Sequence, residues 1–164
     1  MMGIFRFFVC LFLLLLSSAS FAVDSGNGGV LSLGKEHICA LENTGVICWG
    51  NNGVGQTNVP SLSNPTQVSS GSYHTCALDD TGVVCWGENA YGERDVPSLS
   101  NPVQVSSGYY QTCALDDTGV VCWGYNEYGQ TDVPSLSNPT QVSLGNDGHS
   151  CALDDTGVVC WGLN

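Results

Sequence analysis

The sequence has almost no positive charge: of 164 residues only three are Lys or Arg, against 15 Asp and Glu. Beyond residue 22 it also lacks uninterrupted chain, because no segment free of Gly and Pro exceeds 10 residues, as in Ser72 to Thr81. That excludes helices of ordinary length, and even this stretch contains the turn-forming pair Asp79-Asp80. Methionine and phenylalanine are missing after residue 22, since both Met and all five Phe precede that point. The shortage of cations excludes binding to nucleic acid or to anionic lipid, because a surface of this sign repels phosphate.

The first 22 residues form a segment of their own. Arg6 is their only charge, the apolar run Phe7 to Leu16 follows, and Ser20 and Ala22 occupy the −3 and −1 positions of a cleavage after Ala22. The run is too short for a bilayer and its flank is made of small residues, so residues 1–22 read as a secretory signal peptide, with an uncleaved anchor as the alternative. Residues 23–28 read as a short linker. The destination is secretion or the periplasm, the cell surface included, with no membrane attachment after cleavage. Without the leader the cations are Lys35 and Arg94 against 15 acids, a formal charge of −13, and the apolar share falls from 43% to about 37%. That lies below the ordinary globular range. Something besides apolar burial must help hold the chain together.

Cysteine is the first candidate. Cys10 leaves with the leader, and eight cysteines remain as Cys39/Cys48, Cys76/Cys85, Cys113/Cys122 and Cys151/Cys160, each pair nine apart. Successive pairs follow at intervals of 37, 37 and 38 residues, which makes the chain a repeat protein. Residues 65–101 and 102–138 are identical at 30 of 37 positions. A more divergent copy occupies about residues 29–64, and a fourth occupies residues 139–164, with one extra residue near Asn146 to Gly148 and a stop in mid-unit.

Each unit reads as short strands: Thr66 to Ser69, Tyr73 to Leu78 and Val83 to Trp86, with a weaker segment at Tyr91 to Val96. Asp79-Asp80-Thr81-Gly82 suits a hairpin loop, Asp opening a type I turn and Gly taking the positive φ that closes it. That loop sets Cys76 opposite Cys85, at a separation a disulfide can bridge. Four disulfides are therefore predicted, each contributing about 2–3 kcal/mol by restricting the unfolded chain. Buried free thiols are one alternative; metal ligation is another, although knuckle spacings are missing. Along the hairpin, Cys76, Leu78, Val83 and Cys85 share one face, while Thr75, Ala77, Val84 and Trp86 share the other. Both faces are mainly apolar, so each small sheet needs cover on both sides. Face-to-face stacking of successive copies supplies it, as in a β-propeller, and places Trp49, Trp86, Trp123 and Trp161 between blades.

The phrase CALDDTGVVCWGxNxYGQ, preceded by QVSSGxxH, resembles the repeat of the regulator of chromosome condensation family, in the cysteine-bearing form of secreted bacterial proteins. The resemblance covers about Gly29 to Asn164. It implies an all-β fold of propeller blades with up to four strands, here four short repeats forming a partial or small propeller. Familiar members close with seven blades, so four copies imply a fragment, an arc completed by another chain, or a compact ring. An open arc leaves apolar blade faces uncovered, the Trp161 side among them. Function is implied poorly, since members range from a nuclear exchange factor for a small GTPase to a secreted inhibitor of β-lactamases.

The internal comparison points to recognition. Copies two and three differ at Thr66/Val103, Ser72/Tyr109, His74/Gln111, Glu88/Tyr125, Ala90/Glu127, Glu93/Gln130 and Arg94/Thr131. Six of these seven pairs flank the Cys strand or follow Trp-Gly. Ser72, His74, Glu88, Glu93, Arg94, Tyr109, Gln111, Tyr125, Glu127 and Gln130, with the neighbouring Tyr110, are the candidate partner-binding residues, the tyrosines serving as anchors. Drift of exposed positions after duplication is the alternative. Catalytic signatures are weak: His37, His74 and His149 recur but the third copy has Gln111, and a single active site should stand out from a repeat. The pairs Asp79-Asp80, Asp116-Asp117 and Asp154-Asp155 could hold Ca²⁺ weakly, yet they sit at hairpin tips where turn propensity accounts for them. The expectation is a non-enzymatic, cofactor-free module that binds another protein, or a structural component working by self-association.

Overall fold

In a computed structural model of the chain, residues 30–163 are described; the leader at 1–22 and the linker at 23–28 fall outside them. The described chain is all-β and partial-propeller in form. Its strands are β1 Val30–Leu33, β2 His37–Glu42, β3 Gly45–Gly50, β4 Gln67–Ser70, β5 His74–Asp79, β6 Gly82–Gly87, β7 Gln104–Ser107, β8 Gln111–Asp116, β9 Gly119–Gly124, β10 Gln141–Leu144, β11 His149–Asp154 and β12 Gly157–Gly162. They form four three-stranded sheets, β1-β2-β3, β4-β5-β6, β7-β8-β9 and β10-β11-β12, each antiparallel throughout.

The hairpin register is the predicted one, with Cys76 opposite Cys85 and Leu78 opposite Val83. The ladder runs one pair further than expected, to Asp79 opposite Gly82, leaving only Asp80 and Thr81 outside it. Gly82 holds φ at +115°, the positive value that an L side chain would strain. The Asp79 carboxylate accepts from the amide and hydroxyl of Thr81, both at 2.7 Å, and from the Ser63 amide at 2.8 Å. The acidic tip is thus a fastener between the hairpin and the linker entering its blade, which holds the Asp79 carboxyl below its usual value. All four predicted cysteine pairs are disulfides.

The Tyr91 to Val96 segment is not a fourth strand. Its polar groups are satisfied within a loop: the Asn89 side chain donates to the Asp95 carboxylate at 2.9 Å, the Gly92 amide donates to Asn89 O, and the Asp95 amide donates to Gly92 O. A backbone closed on itself this way has nothing left to offer a ladder.

Sheets pack in chain order, first on second, second on third, third on fourth, with the inner strands β1, β4, β7 and β10 adjacent along the axis. Each junction joins a leading face to a trailing face. Cys39, Leu41, Val46 and Cys48 of the first blade receive Val68, Ala77 and Trp86 of the second. Cys76, Leu78, Val83 and Cys85 then receive Val105, and Cys113, Leu115, Val120 and Cys122 receive Val142. Every junction therefore seats one aliphatic inner-strand residue on a disulfide, a burial worth about 1.5–3 kcal/mol per side chain.

The first and last described blades each have one face that no other described blade covers. Leu31 is 46% exposed where its equivalent Val68 is 4%, and Trp49 is 37% exposed where Trp86 is 5%. The expectation that the Trp161 side would be bare is corrected, because each Trp packs backward onto the preceding copy and Trp161 donates to the Gln130 carbonyl at 3.0 Å. The uncovered indole belongs to Trp49. At the opposite end Leu153, Val158 and Cys160 are the exposed groups.

Candidate interaction surface

Strand direction puts two different rims on the arc. Hairpin tips such as Asp79-Asp80 line one rim; the turns entering each middle strand and the loops leaving each third strand line the other. Tyr73, Tyr109 and Tyr110 occupy those entering turns, and Tyr91, Tyr125 and Tyr128 occupy the loops. All six tyrosines of the chain are therefore on one rim.

They are also in contact. Tyr109 and Tyr110 have ring centroids 4.3 Å apart, Tyr73 stacks on Tyr110 at 5.5 Å, and Tyr91 bridges Tyr110 at 4.9 Å and Tyr125 at 4.8 Å. Tyr128 extends the strip from Tyr125 at 6.0 Å. Lys35 closes the other end, its Nζ donating to Tyr73 Oη at 2.8 Å and lying 5.1 Å from that ring's centroid. Tyr110 lies at the centre, where burial, and then its neighbour Tyr109, pushes its phenol up to about 12. Tyr125 donates to the Glu127 carboxylate at 2.5 Å, which raises its pKa as well. The strip is a row of phenols, apolar in body and polar at the tips.

The candidate residues divide by burial. Tyr109, Tyr110, Tyr125 and Glu127 form or border the strip, Arg94 is exposed, and Glu88 is half-buried, where the second blade's loop begins. Ser72, His74, Glu93, Gln111 and Gln130 are fully buried, so they are corrected as partner contacts. His74 and His37 belong to relays between blades. Thr112 Oγ1 donates to the Glu93 carbonyl at 2.9 Å and so must accept from His74 Nε2 at 2.8 Å; Thr75 likewise donates to the Gln56 carbonyl at 3.1 Å and accepts from His37 at 2.7 Å. Burial alone holds His37 down to about 4, and burial followed by the nearby His37 holds His74 down to about 3. Gln111 donates to the Gly145 carbonyl at 3.5 Å instead, while Ser72 is held by its amide's bond to the Gly108 carbonyl.

Glu93 and Gln130 fold back on their own loops. Glu93 accepts from the Tyr91 amide at 2.8 Å and Gln130 from the Tyr128 amide at 2.9 Å, while their main-chain carbonyls receive the indoles of Trp123 and Trp161. Gln56 does the same for Trp86. A carboxylate in this buried seat is the odd one of three, and burial raises the Glu93 pKa above its ordinary 4.5. Its folded form therefore prefers the proton, so its contribution is greatest below pH 4.5 and is lost as pH rises through the raised value. Replacing Glu93 by Gln, as in the equivalent seats, is expected to raise the neutral-pH melting point by roughly 2–4 °C and to leave it unchanged at pH 4. Thermal scans at both values check this; an equal shift at each would contradict it.

Tyr73, Tyr91, Tyr128 and Lys35 do not stand out among the differences between copies. Tyr73/Tyr110 and Tyr91/Tyr128 are the same residue in both. The family model of the regulator of chromosome condensation (RCC1) repeat matches residues 31–56, 66–93 and 103–130, half of the chain. The chain belongs to that repeat family. No curated protein shows significant similarity to it. Among solved structures it resembles the ectodomain of the receptor kinase CR4 from Physcomitrella patens, at 28% identity over 81% of this chain and 40% of that one, with a TM-score of 0.70. The ectodomain of the Arabidopsis thaliana receptor kinase ACR4 matches at 29% identity over 82% and 49%, with a TM-score of 0.66. Prp20p from Saccharomyces cerevisiae shares the fold at 19% identity over 85% and 46%, with a TM-score of 0.71, and its structure was described with its binding to Gsp1p and histones. This RCC1-repeat chain spans less than half the length of each of these structures.

Proposed function

We propose that this chain is an exported, non-catalytic interaction module whose tyrosine rim grips another protein. The carrying observation is that all six tyrosines, drawn from loops of the second and third blades, converge into one contiguous strip. Tyrosines supply large, rigid contact area at little entropy cost and are enriched where proteins bind proteins. The rest of the chain supports a binding role, because the buried imidazoles of His37 and His74 are spent on bonds between blades, and the buried carboxylates of Glu93, Asp79, Asp116 and Asp154 are spent on main-chain amides. Four disulfides, the leader-like first 22 residues and the likeness to receptor ectodomains support an extracellular destination. Prp20p, a relative in fold, binds Gsp1p and histones; a chain of charge −12, or −13 without residues 1–22, favours a basic partner.

The test is capture from the extracellular fluid or periplasm of the source cell. Tyr110→Ala and the more exposed Tyr91→Ala are each expected to lower recovery of the principal partner about tenfold, while Asp117→Asn on the opposite rim leaves it unchanged. Equal recovery by all four proteins, with folding checked by circular dichroism, overturns the reading.

A further inference from the structure

The tyrosine strip is also where a one-electron oxidant finds most of its exposed targets. Residues 30–163 contain no methionine, and their eight cysteines are paired in disulfides. The sulfur that ordinarily takes up oxidising equivalents is missing or already spent. Three of the four tryptophans are buried, which leaves Trp49 as the one exposed indole. By contrast Tyr91 and Tyr128, at 50% and 52% exposure, stand open to a reagent in solution.

The six phenols are not equivalent. Losing one electron turns a phenol into a strong acid, so the loss is fastest where a base already holds the hydroxyl proton. Tyr125 has such a base, because its hydroxyl donates to the Glu127 carboxylate at 2.5 Å. Tyr73 has the reverse: the Lys35 ammonium donates to its oxygen at 2.8 Å, and a positive charge there opposes removal of an electron. Tyr110 is packed among four other rings, which shield it from an outside reagent. Around Tyr125 the ring centroids of Tyr91, Tyr128 and Tyr110 lie at 4.8, 6.0 and 6.5 Å. Tyr91 is the nearest, and its half-exposed ring has room to turn an ortho carbon toward that of Tyr125.

We propose that Tyr91 and Tyr125 form an oxidative coupling site, at which a haem peroxidase using hydrogen peroxide joins the two rings as a dityrosine. Each phenol gives up one electron and its hydroxyl proton, that of Tyr125 passing to Glu127. The two phenoxyl radicals then form a carbon–carbon bond between ortho positions. Rearomatisation moves the two ortho hydrogens onto the oxygens, so the protein loses two hydrogens in all and one hydrogen peroxide is reduced to two waters. Because the rings already touch, coupling within the chain outruns coupling between chains. The bond ties the loop after β6 to the start of the loop after β9, so the second and third blades become covalently joined on the tyrosine rim. This site stands whether or not the strip also grips a partner.

The experiment treats the full chain, secreted from an oxidising host and kept dilute at neutral pH, with a haem peroxidase and hydrogen peroxide. The blue fluorescence of dityrosine should appear, the intact mass should fall by two hydrogens, and the product should run as a single copy on a denaturing gel. Peptide mapping after reduction should find the Tyr91 peptide joined to the Tyr125 peptide. Tyr91→Phe and Tyr125→Phe should each lower the yield about tenfold, while Tyr109→Phe leaves it unchanged. Glu127→Gln keeps a hydrogen-bond acceptor beside Tyr125 but removes the base, and should slow coupling about tenfold. Coupling mapped chiefly to another tyrosine pair, a product formed chiefly between chains, or a Glu127→Gln protein that couples as fast as the wild type overturns the proposal.

Discussion

Acidification from pH 7 to pH 4.5 is expected to remove on the order of 3 kcal/mol of stability through His74 alone. The ring is fully buried at a junction between blades; it donates from Nε2 to Thr112, and its Nδ1 has no partner. A proton added at Nδ1 would be a buried donor without an acceptor, next to a second histidine, His37, that shifts the same way. The folded pKa is held down to about 3, against 6.5 in the unfolded chain. The stability linked to the neutral ring is therefore complete above pH 6.5 and drains away as pH falls toward the folded value. Asp79, Asp116 and Asp154, whose pKa values are lowered from 3.8, lose their contributions only below that value, so in the window from 6.5 to about 4 the shifted histidines are opposed only by Glu93, whose raised value makes its contribution grow as pH falls. His74→Gln, which copies Gln111 of the next repeat, keeps a neutral side chain in the seat. Unfolding free energies from urea titrations at pH 7 and 4.5 should lie closer together in the variant than in the wild type by about that 3 kcal/mol. The same separation in both proteins would show that His74 is not the group responsible.

The disulfides should differ from one another although their rings are the same size. Replacing both Cys76 and Cys85 by Ala is expected to cost about 3–4 kcal/mol, of which about 3 comes from opening a ring of this length and the remainder from the cavity left against Leu78 and Val105. Replacing Cys151 and Cys160 should cost only the ring share in this chain, because no blade among the described residues covers them. Exposure also governs exchange with external thiols. Dilute protein under mild reductant should therefore lose Cys151–Cys160 first, several-fold faster than the other three. Alkylation followed by peptide mass analysis reads the order directly, and equal rates at all four bonds would contradict it.

Much of this architecture can be read from the chain because its signals are local and repeated fourfold. The hairpin register follows from Asp-Asp-Thr-Gly, and the disulfides follow from that register. The stacking of blades follows from Cys76 and Leu78 on one face and Ala77 and Trp86 on the other. What escapes such a reading depends on three-dimensional direction. Alternation shows that Trp161 lies between blades but not which neighbour it leans on, so it points to the wrong end of the arc for the bare face. The Tyr91 to Val96 segment has strand-like residues, and only the bonds from Asn89 to Asp95 and Gly92 reveal a closed loop. Difference between copies suggests a surface position. For Tyr109 and Tyr125 that holds, whereas His74/Gln111 and Glu93/Gln130 are alternative solutions to the same buried socket.

Where blades meet, Gln67 and Gln104 grip main-chain atoms of Val105 and Val142 in the next inner strand, and that grip bears on how such an array changes over generations. A junction that reads side chains must co-evolve on both sides whenever a copy is gained or lost. A junction that reads peptide groups accepts any blade with an aliphatic inner strand. Whole units can then be duplicated or deleted by recombination without mending the seam. The number of blades becomes a quantity free to vary independently of the loops that carry the tyrosines.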